Sequence, residues 1–272
     1  MYLVYITQLL IDGDDNMKNP TQYDQVLSLA VDVQNDFCPG GSLAVAGGDE
    51  IIQPINSINQ WVRSNNGIVI FSRDWHPSKT SHFDKWPPHC MKYMAGAAFH
   101  DNLELVDPSE LYTPGKDLIV SKGIGKDEDA YSAFEAKCRF ISSRDSGRGS
   151  SYSEGSLPLD TFITHLRQGN VQSSLREAYA THKSLPKVSR LALLITGLAG
   201  DWCVNATARD ALKLSEEFSK NNAVLDVFLI HDAVRSVDRE AGDRALAELS
   251  QSGAHLVTSE AIVNGRVIAL GE

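Results

Sequence analysis

The sequence has few cysteines and no long apolar run. These two features argue against a disulfide-stapled secreted protein and against a membrane-spanning protein. Its 272 residues include four cysteines and no C-x-x-C pair. A chain of this length needs no disulfide staples, which favours a reduced, cytoplasmic protein. No segment approaches the roughly 20 apolar residues of a membrane span. The apolar start, residues 1–11, lacks a basic region and a small-residue cleavage site, so we expect neither a signal peptide nor an anchor.

Positive charge and nucleotide-binding glycine motifs are also lacking. The 25 Lys and Arg residues are outnumbered by 35 Asp and Glu residues, which gives a net charge of −10. This balance argues against binding to nucleic acid or to an anionic membrane. The glycines at 40–41 and 47–48 form neither G-x-G-x-x-G nor a P-loop. The sequence therefore predicts no nucleotide cofactor.

The segments that are present alternate between strand-like and helix-like patterns. Apolar residues spaced by four, three and four positions (Ile51, Ile55, Ile58, Val62) mark one face of a helix over 49–65. Further helices are expected over 202–219 and 238–250, with a short one at the C-terminal end. Six strands are expected, over 26–33, 68–72, 118–121, 191–196, 224–230 and 255–258. Apolar strands separated by amphipathic helices indicate an α/β fold whose parallel sheet is covered on both faces.

Two segments do not follow this alternation. Residues 1–24 precede the first strand and are interpreted as an N-terminal extension. Residues 142–156 contain seven Ser and three Gly, a composition typical of a flexible insertion. Helical patterns resume at 161–167 and 173–182. Neither flank of the insertion makes a complete α/β domain alone, so residues 25–272 are predicted to form one domain.

Chemically capable residues follow four of the predicted strands. Asp32 ends the first strand, Asp74 and His76 follow the second, Lys122 ends the third, and Cys203 comes shortly after the fourth. Ligands of open α/β sheets bind beyond the carboxyl ends of the strands. We therefore expect these residues to share one site.

Cys203 has two interpretations. A free cysteine is most often a buried core residue. Alternatively, its position at a helix start would lower the thiol pKa and supply N–H groups for a developing negative charge, as a nucleophile requires. Asp32 and Lys122 could be a turn residue and a solvated strand end. Together with Cys203 they form a coherent set, because a carboxylate can take the thiol proton and an ammonium can hold both anions.

A metal site is suggested by Asp74 and His76, with His82 and His89 nearby. In an extended D-x-H both side chains point to the same face. Two histidines and one carboxylate leave open positions on a metal ion for water or substrate. His82 is either a further ligand or a residue that supports the ligands. The alternative is that all four are polar loop residues.

These residues lie in motifs that resemble the isochorismatase-like cysteine hydrolases, and within them the nicotinamidases. The motifs occur in the family's order and span most of residues 25–272: VDVQNDFCPGGSLAV (31–45), RDWHP (73–77), HF (82–83), WPPHC (86–90), K-x₈-YSAF (122–134) and GLAGDWCVNATARDAL (197–212). The resemblance implies a doubly wound, Rossmann-like sheet of six parallel strands with helices on both faces.

The resemblance also implies roles for individual residues. The catalytic triad would be Asp32 as general base, Lys122 as the charge-stabilising group and Cys203 as nucleophile. The backbone N–H groups of Ala199 and Cys203 would form an oxyanion hole, and the Leu198–Ala199 peptide would be cis. One divalent metal ion, zinc by preference and iron or manganese as alternatives, would be held by Asp74, His76 and His89, with His82 as a candidate fourth ligand. Phe37, Trp86 and Tyr131 would line the substrate pocket.

The implied reaction is hydrolysis of nicotinamide to nicotinate and ammonia through a cysteine thioester, a step of NAD salvage. Analogues related to pyrazinamide are further candidate substrates, and a homo-oligomer is a candidate assembly. Two alternatives stay open. One is another reaction of the superfamily, on isochorismate or on a carbamoyl or ureido group, and the other is a non-catalytic binding protein. The D-x-H and WPPH motifs argue against the first, and the three intact triad positions argue against the second.

Overall fold

The computed structural model describes residues 20–111, 113, 115–143, 152–168 and 188–270. Within these residues the strands are β1 (Thr21–Tyr23), β2 (Gln25–Val31), β3 (Ile68–Asp74), β4 (Leu118–Lys122), β5 (Lys137–Ser143), β6 (Tyr152–Pro158), β7 (Arg190–Leu198), β8 (Val224–Arg235), β9 (His255–Val257) and β10 (Ile268–Leu270). The helices are α1 (Ile52–Ser64), α2 (Leu159–Gln168), α3 (Cys203–Lys220), α4 (Arg239–Gln251) and α5 (Ser259–Val263).

Six parallel strands form the body of the main sheet, in the order β4-β3-β2-β7-β8-β9. They are the six strands that the sequence predicts. β2 lies at the centre, where Leu27 pairs with Ile68 of β3 and with Leu193 of β7. The strand order reverses beside β2, which is the place where such sheets bind ligands.

The sheet has eight strands rather than six, because β5 and β6 extend it beyond β4. Both run antiparallel to their neighbours, and the ladder reaches from Lys137–Pro158 to Ser143–Tyr152. The predicted insertion over 142–156 was therefore placed too broadly, since its two ends belong to these strands. A ladder is held by backbone hydrogen bonds, which Ser and Gly can form as well as apolar residues.

Helices cover both faces of the sheet and create two cores. Apolar residues of α2, α3 and α4 pack on one face, including Phe162, Val204 and Leu249. Those of α1 and α5 pack on the other face, including Ile55 and Ile262. This layering is the doubly wound α/β arrangement that the sequence predicts.

A separate two-stranded sheet joins the beginning and the end of the described chain. β1 pairs in parallel with β10, and Tyr23 is buried in the core below α1 and α5. The last residues of the predicted extension thus belong to the fold. Its residues 1–19 and the predicted helix over 173–182 lie outside the described residues. In the described part of the chain, no helix has both the length and the apolar character needed to cross a membrane.

Candidate active site and metal centre

The parallel sheet brings the four predicted strand-end groups to one edge. Asp32 directly follows β2, Asp74 ends β3, Lys122 ends β4, and Cys203 begins α3 after β7. The side chains of Asp32, Asp74 and Lys122 are buried, and that of Cys203 is half-buried. The expectation that these residues share one site is met by their placement.

Lys122 is the centre of this group. Its Nζ atom lies 2.9 Å from Asp32 Oδ2 and 2.5 Å from Asp74 Oδ1. The same atom lies 3.6 Å from Cys203 Sγ. One buried ammonium therefore contacts two carboxylates and the candidate nucleophile, and burial makes each of these contacts stronger than it would be in water.

Burial changes the acidity of all three groups of the predicted triad. Although burial alone lowers the pKa of Lys122, the carboxylates of Asp32 and Asp74 raise it well above its ordinary value, so the side chain stays a cation. Burial raises the pKa of Asp32, and Lys122 opposes this shift. Burial and the two carboxylates also raise the pKa of Cys203 well above that of a free thiol, against the lowering influence of Lys122.

The net shift of the Cys203 pKa is therefore upward, opposite to the lowering expected from its position at a helix start. Desolvation disfavours the thiolate more strongly than the neighbouring ammonium favours it. The group is a thiol next to a carboxylate of raised pKa, which suits a proton transfer between the two as substrate binds.

Asp32 is held by its neighbour on β3. The Ser72 hydroxyl donates a 2.7 Å hydrogen bond to Asp32 Oδ1, and the Asp32 N–H donates to the Ser72 carbonyl at 3.2 Å. The Asp32 backbone has a φ of 51°, in the left-handed region. These contacts leave Oδ2 directed at Lys122.

The loop between β7 and α3 contains the predicted oxyanion donors. The Leu198–Ala199 peptide is cis, as the resemblance implies. Neither the N–H of Ala199 nor that of Cys203 donates a hydrogen bond to another described residue. Asp201 holds the loop by accepting hydrogen bonds from the N–H groups of Val237 and Asp238 at 3.0 and 2.9 Å.

Three histidines form a cluster beside the triad. The ring nitrogens of His76, His82 and His89 lie within 4.8 Å of one another, and all three side chains are buried. Each Nδ1 faces an acceptor: the Gly123 carbonyl at 3.0 Å for His76, Asp129 Oδ1 at 2.6 Å for His82, and the Pro87 carbonyl at 2.8 Å for His89.

This arrangement fits a metal ion. An Nδ1 that donates its proton to an acceptor leaves Nε2 as a lone-pair ligand. The Nε2 atom of His76 is buried and has no hydrogen-bond partner, so its lone pair is available to bind a metal ion. Asp74 Oδ2 lies 3.5 Å from His76 Nε2 and 3.7 Å from His89 Nε2, so it faces the same space. Three imidazoles and a carboxylate suit zinc.

A small cavity opens onto both groups. Its volume is about 80 Å³. Cys203, Asp74, His82 and His89 line it together with Ala199. The three residues predicted to surround a substrate, Phe37, Trp86 and Tyr131, all lie in its wall. The Trp86 indole N–H donates to the Tyr131 hydroxyl at 3.1 Å.

Several residues that shape the site did not stand out in the sequence. Trp202 lines the cavity, lies 42% exposed at its mouth, and its ring stacks at 5.8 Å on that of Tyr131. Its position next to Cys203 was the available signal. The side chain of Gln34 hydrogen-bonds to the backbone N–H and carbonyl of Asp74, each at 2.8 Å. No local pattern marks Gln34 or Asp129, because their contacts depend on the pairing of distant loops.

Comparison with known proteins places this chain in a family. A family model described as an isochorismatase domain matches residues 26–113 and 177–261. The chain belongs to the isochorismatase family.

Within that family, the chain is similar to nicotinamidases. It is 30% identical over 251 residues to a nicotinamidase of Escherichia coli, covering 85% of this chain and 93% of that protein. It is 27% identical over 256 residues to a nicotinamidase of Acinetobacter baylyi, covering 86% and 93% of the two chains.

Two solved structures support the same relationship. The pyrazinamidase of Pyrococcus horikoshii in complex with zinc is 26% identical, with a TM-score of 0.59, and covers 86% of this chain and 99% of its own. PnC1 from L. infantum in complex with nicotinate is 25% identical, with a TM-score of 0.60, and covers 93% and 100%.

Proposed function

We propose that this protein is a metal-dependent nicotinamidase that converts nicotinamide and water to nicotinate and ammonia. The observation that carries the proposal is the position of Lys122. Its ammonium contacts Asp32, Asp74 and Cys203. Asp74 in turn faces the three-histidine cluster, and two of these histidines, His82 and His89, line the same cavity as Cys203. A flat heteroaromatic amide would fit a cavity of this kind. Its aromatic walls suit the ring, the metal ligands suit a ring nitrogen, and the thiol and its neighbouring base suit the amide.

The first half of the reaction forms a thioester. Asp32 accepts the proton of the Cys203 thiol, and the sulfur bonds to the carboxamide carbon. The N–H groups of Ala199 and Cys203 hold the oxyanion, since both lack another acceptor. The carbon–nitrogen bond then breaks, and ammonia leaves with the proton that Asp32 returns. Lys122 keeps its positive charge throughout.

The second half hydrolyses the thioester. Asp32, again ionised, accepts a proton from a water molecule, and the resulting hydroxide adds to the thioester carbon. The carbon–sulfur bond breaks, and the Cys203 sulfur regains its proton from Asp32. Covalent catalysis thus replaces one difficult amide hydrolysis by two easier steps.

The histidine cluster and the aromatic wall would position the substrate ring. His76, His82, His89 and Asp74 would hold the metal ion. When bound, the ion supplies an anchoring point for the pyridine nitrogen and fixes the amide against Cys203. Zinc is favoured by the imidazole ligands, and iron and manganese are alternatives. Phe37, Trp86 and Tyr131 would enclose the ring.

The same pocket chemistry supports acceptance of pyrazinamide, because its ring, like that of nicotinamide, has a nitrogen meta to the carboxamide. Relatives with the activities nicotinamidase and pyrazinamidase agree with this breadth. A cytoplasmic role in NAD salvage and a homo-oligomeric assembly remain predictions.

The test is ammonia release from nicotinamide by the purified full chain. Three samples are compared: metal-free, zinc-loaded, and zinc-loaded with added chelator. We expect turnover that depends on zinc and that extends to pyrazinamide. Absence of turnover in the zinc-loaded sample, with release of ammonia from a carbamoyl or ureido substrate, would overturn the proposal in favour of another reaction of the family.

A further inference from the structure

The three histidines of the cluster are anchored in different ways. The Nδ1 atoms of His76 and His89 face backbone carbonyls, those of Gly123 and Pro87. The Nδ1 atom of His82 instead faces a side chain, that of Asp129, at 2.6 Å. His82 is thus the one member of the cluster whose anchor a substitution can remove.

The other contacts of the His82 ring do not fix its tautomer. His82 lies in a short 3₁₀ turn, Ser81–Asp84, and its ring stacks on that of His76 with centroids 4.5 Å apart. Stacking restricts the tilt of the ring but leaves the choice between its two tautomers open. A carboxylate at Nδ1 selects the tautomer with the proton on Nδ1, and Nε2 then faces the cluster as a lone pair.

Asp129 is held in place by its second oxygen. Oδ2 pairs with the Nζ atom of Lys85, whose side chain is 63% exposed. Asp129 lies in the loop that follows β4, between Gly123 and Tyr131. This one loop therefore anchors two of the three histidines and supplies a wall of the cavity.

We propose that Asp129 is a positioning residue of the metal centre, which fixes the tautomer and direction of His82 through the Nδ1 contact and thereby strengthens metal binding. The inference rests on the proposed metal dependence. Removing such a carboxylate costs about 10–100-fold in metal affinity. Lys85 contributes less, because an exposed ion pair contributes little.

The experiment measures zinc affinity directly. The dissociation constant for zinc of the full chain is determined by competition with a chromophoric chelator at fixed pH and ionic strength. We expect Asp129→Ala to bind zinc about 10–100-fold more weakly than the wild type. Asp129→Asn, whose amide oxygen can accept the same hydrogen bond, should lose less. Lys85→Ala and the exposed neighbouring variant Asp127→Ala should stay within about fivefold.

A double-mutant cycle separates positioning from a general structural effect. If Asp129 acts through His82, the Asp129→Ala substitution should have no further effect on zinc affinity in a His82→Ala background. Unchanged zinc affinity of Asp129→Ala, or an equal loss in both backgrounds, would overturn the inference. Failure of the wild type to bind zinc would instead contradict the proposed function. The thermal unfolding midpoint of each metal-free variant shows whether the fold is retained.

Discussion

At the scale of single residues, the site is a small set of charges whose states depend on one another. Lys122 stays charged because two carboxylates surround it, and Asp32 has a raised pKa because it is buried. The direct neighbours of these groups therefore set the pH range in which Asp32 can accept a proton. Ser72 is such a neighbour, since its hydroxyl donates to Asp32 Oδ1 at 2.7 Å.

Substitution Ser72→Ala should move the acidic limb of the pH–rate profile to higher pH. The hydroxyl favours the ionised form of Asp32 and so lowers its pKa, against the larger raising effect of burial. Without it, the pKa of Asp32 rises further. The proposed mechanism requires an ionised Asp32 to accept the thiol proton, so kcat/KM should begin to fall at a higher pH as the solution is acidified.

The control for this prediction is Ser28→Ala. Ser28 is also buried in the central sheet, but its hydroxyl donates to Asn59 Oδ1 at 2.6 Å, away from the triad. This variant should keep the wild-type limb. An acidic limb that is the same in both variants would show that Ser72 does not set the pKa of the base.

The residues of the site were predictable to different degrees. Asp32, Asp74, Lys122 and Cys203 follow strands with clear apolar patterns, so their convergence follows from a parallel sheet. The contact of Asp129 with His82 spans 47 residues between two loops. No periodicity specifies how loops of that kind pair, and the direction of the Cys203 pKa shift likewise depends on burial that only the folded chain defines.

At the scale of secondary structure, the strands that carry the site must lie very close together. Gly197 of β7 pairs with Val31 of β2, and a Cβ atom on Gly197 would lie 2.1 Å from the Val31 carbonyl oxygen. Its φ of 113° is also strained for any residue with a side chain. This glycine therefore permits the close approach of β2 and β7, which places Asp32 beside the loop between β7 and α3 that contains Ala199.

We expect Gly197→Ala to lower the free energy of unfolding by about 3–5 kcal/mol. The matched control is Gly40→Ala, because Gly40 has a φ of 94° and no atom within 4 Å of its Cβ position. In that variant only the positive φ of the new alanine is unfavourable, so the free energy of unfolding should fall by about 1–2 kcal/mol. Urea unfolding measures both. An equal loss of unfolding free energy in both variants would mean that β2 and β7 can move apart enough to accommodate a methyl group.

The strands also mark the limit of sequence-based prediction at this scale. All six parallel strands have apolar cores, and their order along the chain matches the prediction. The pair β5 and β6 was missed, because its Ser- and Gly-rich ends suggest a loop. The hydrogen-bonded ladder compensates for this composition by pairing backbone groups over seven positions.

At the scale of the whole molecule, the beginning and the end of the described chain pair with each other. β1 and β10 form their own sheet, and Tyr23 contacts the side chain of Phe228 edge-on, with ring centroids 6.0 Å apart. The Tyr23 hydroxyl donates to Asp226 Oδ2 at 2.7 Å. The sequence suggested only an extension here, since three residues are too few to show a strand pattern.

Removal of the Tyr23 side chain should destabilise the whole fold without disturbing the site. Tyr23→Ala empties a buried position, and we expect it to lower the free energy of unfolding by about 3–5 kcal/mol. Tyr23→Phe keeps the ring and loses one hydrogen bond, so its expected cost is about 0.5–1.5 kcal/mol. Urea unfolding measures the stability of both variants. The kcat/KM for nicotinamide, measured under conditions in which the variants are folded, shows whether the site is disturbed. A small loss of unfolding free energy for Tyr23→Ala would show that the sheet of β1 and β10 does not unfold cooperatively with the rest of the protein.

The proposed mechanism requires the Cys203 sulfur to attack the carboxamide carbon while the histidine cluster holds the metal. The most direct measurement compares ammonia release from nicotinamide by the zinc-loaded wild type and the zinc-loaded Cys203→Ala variant, with zinc content determined for both. We predict equal zinc content and a loss of kcat of at least about 1,000-fold in the variant. Activity of the variant within tenfold of the wild type would contradict the thiol mechanism.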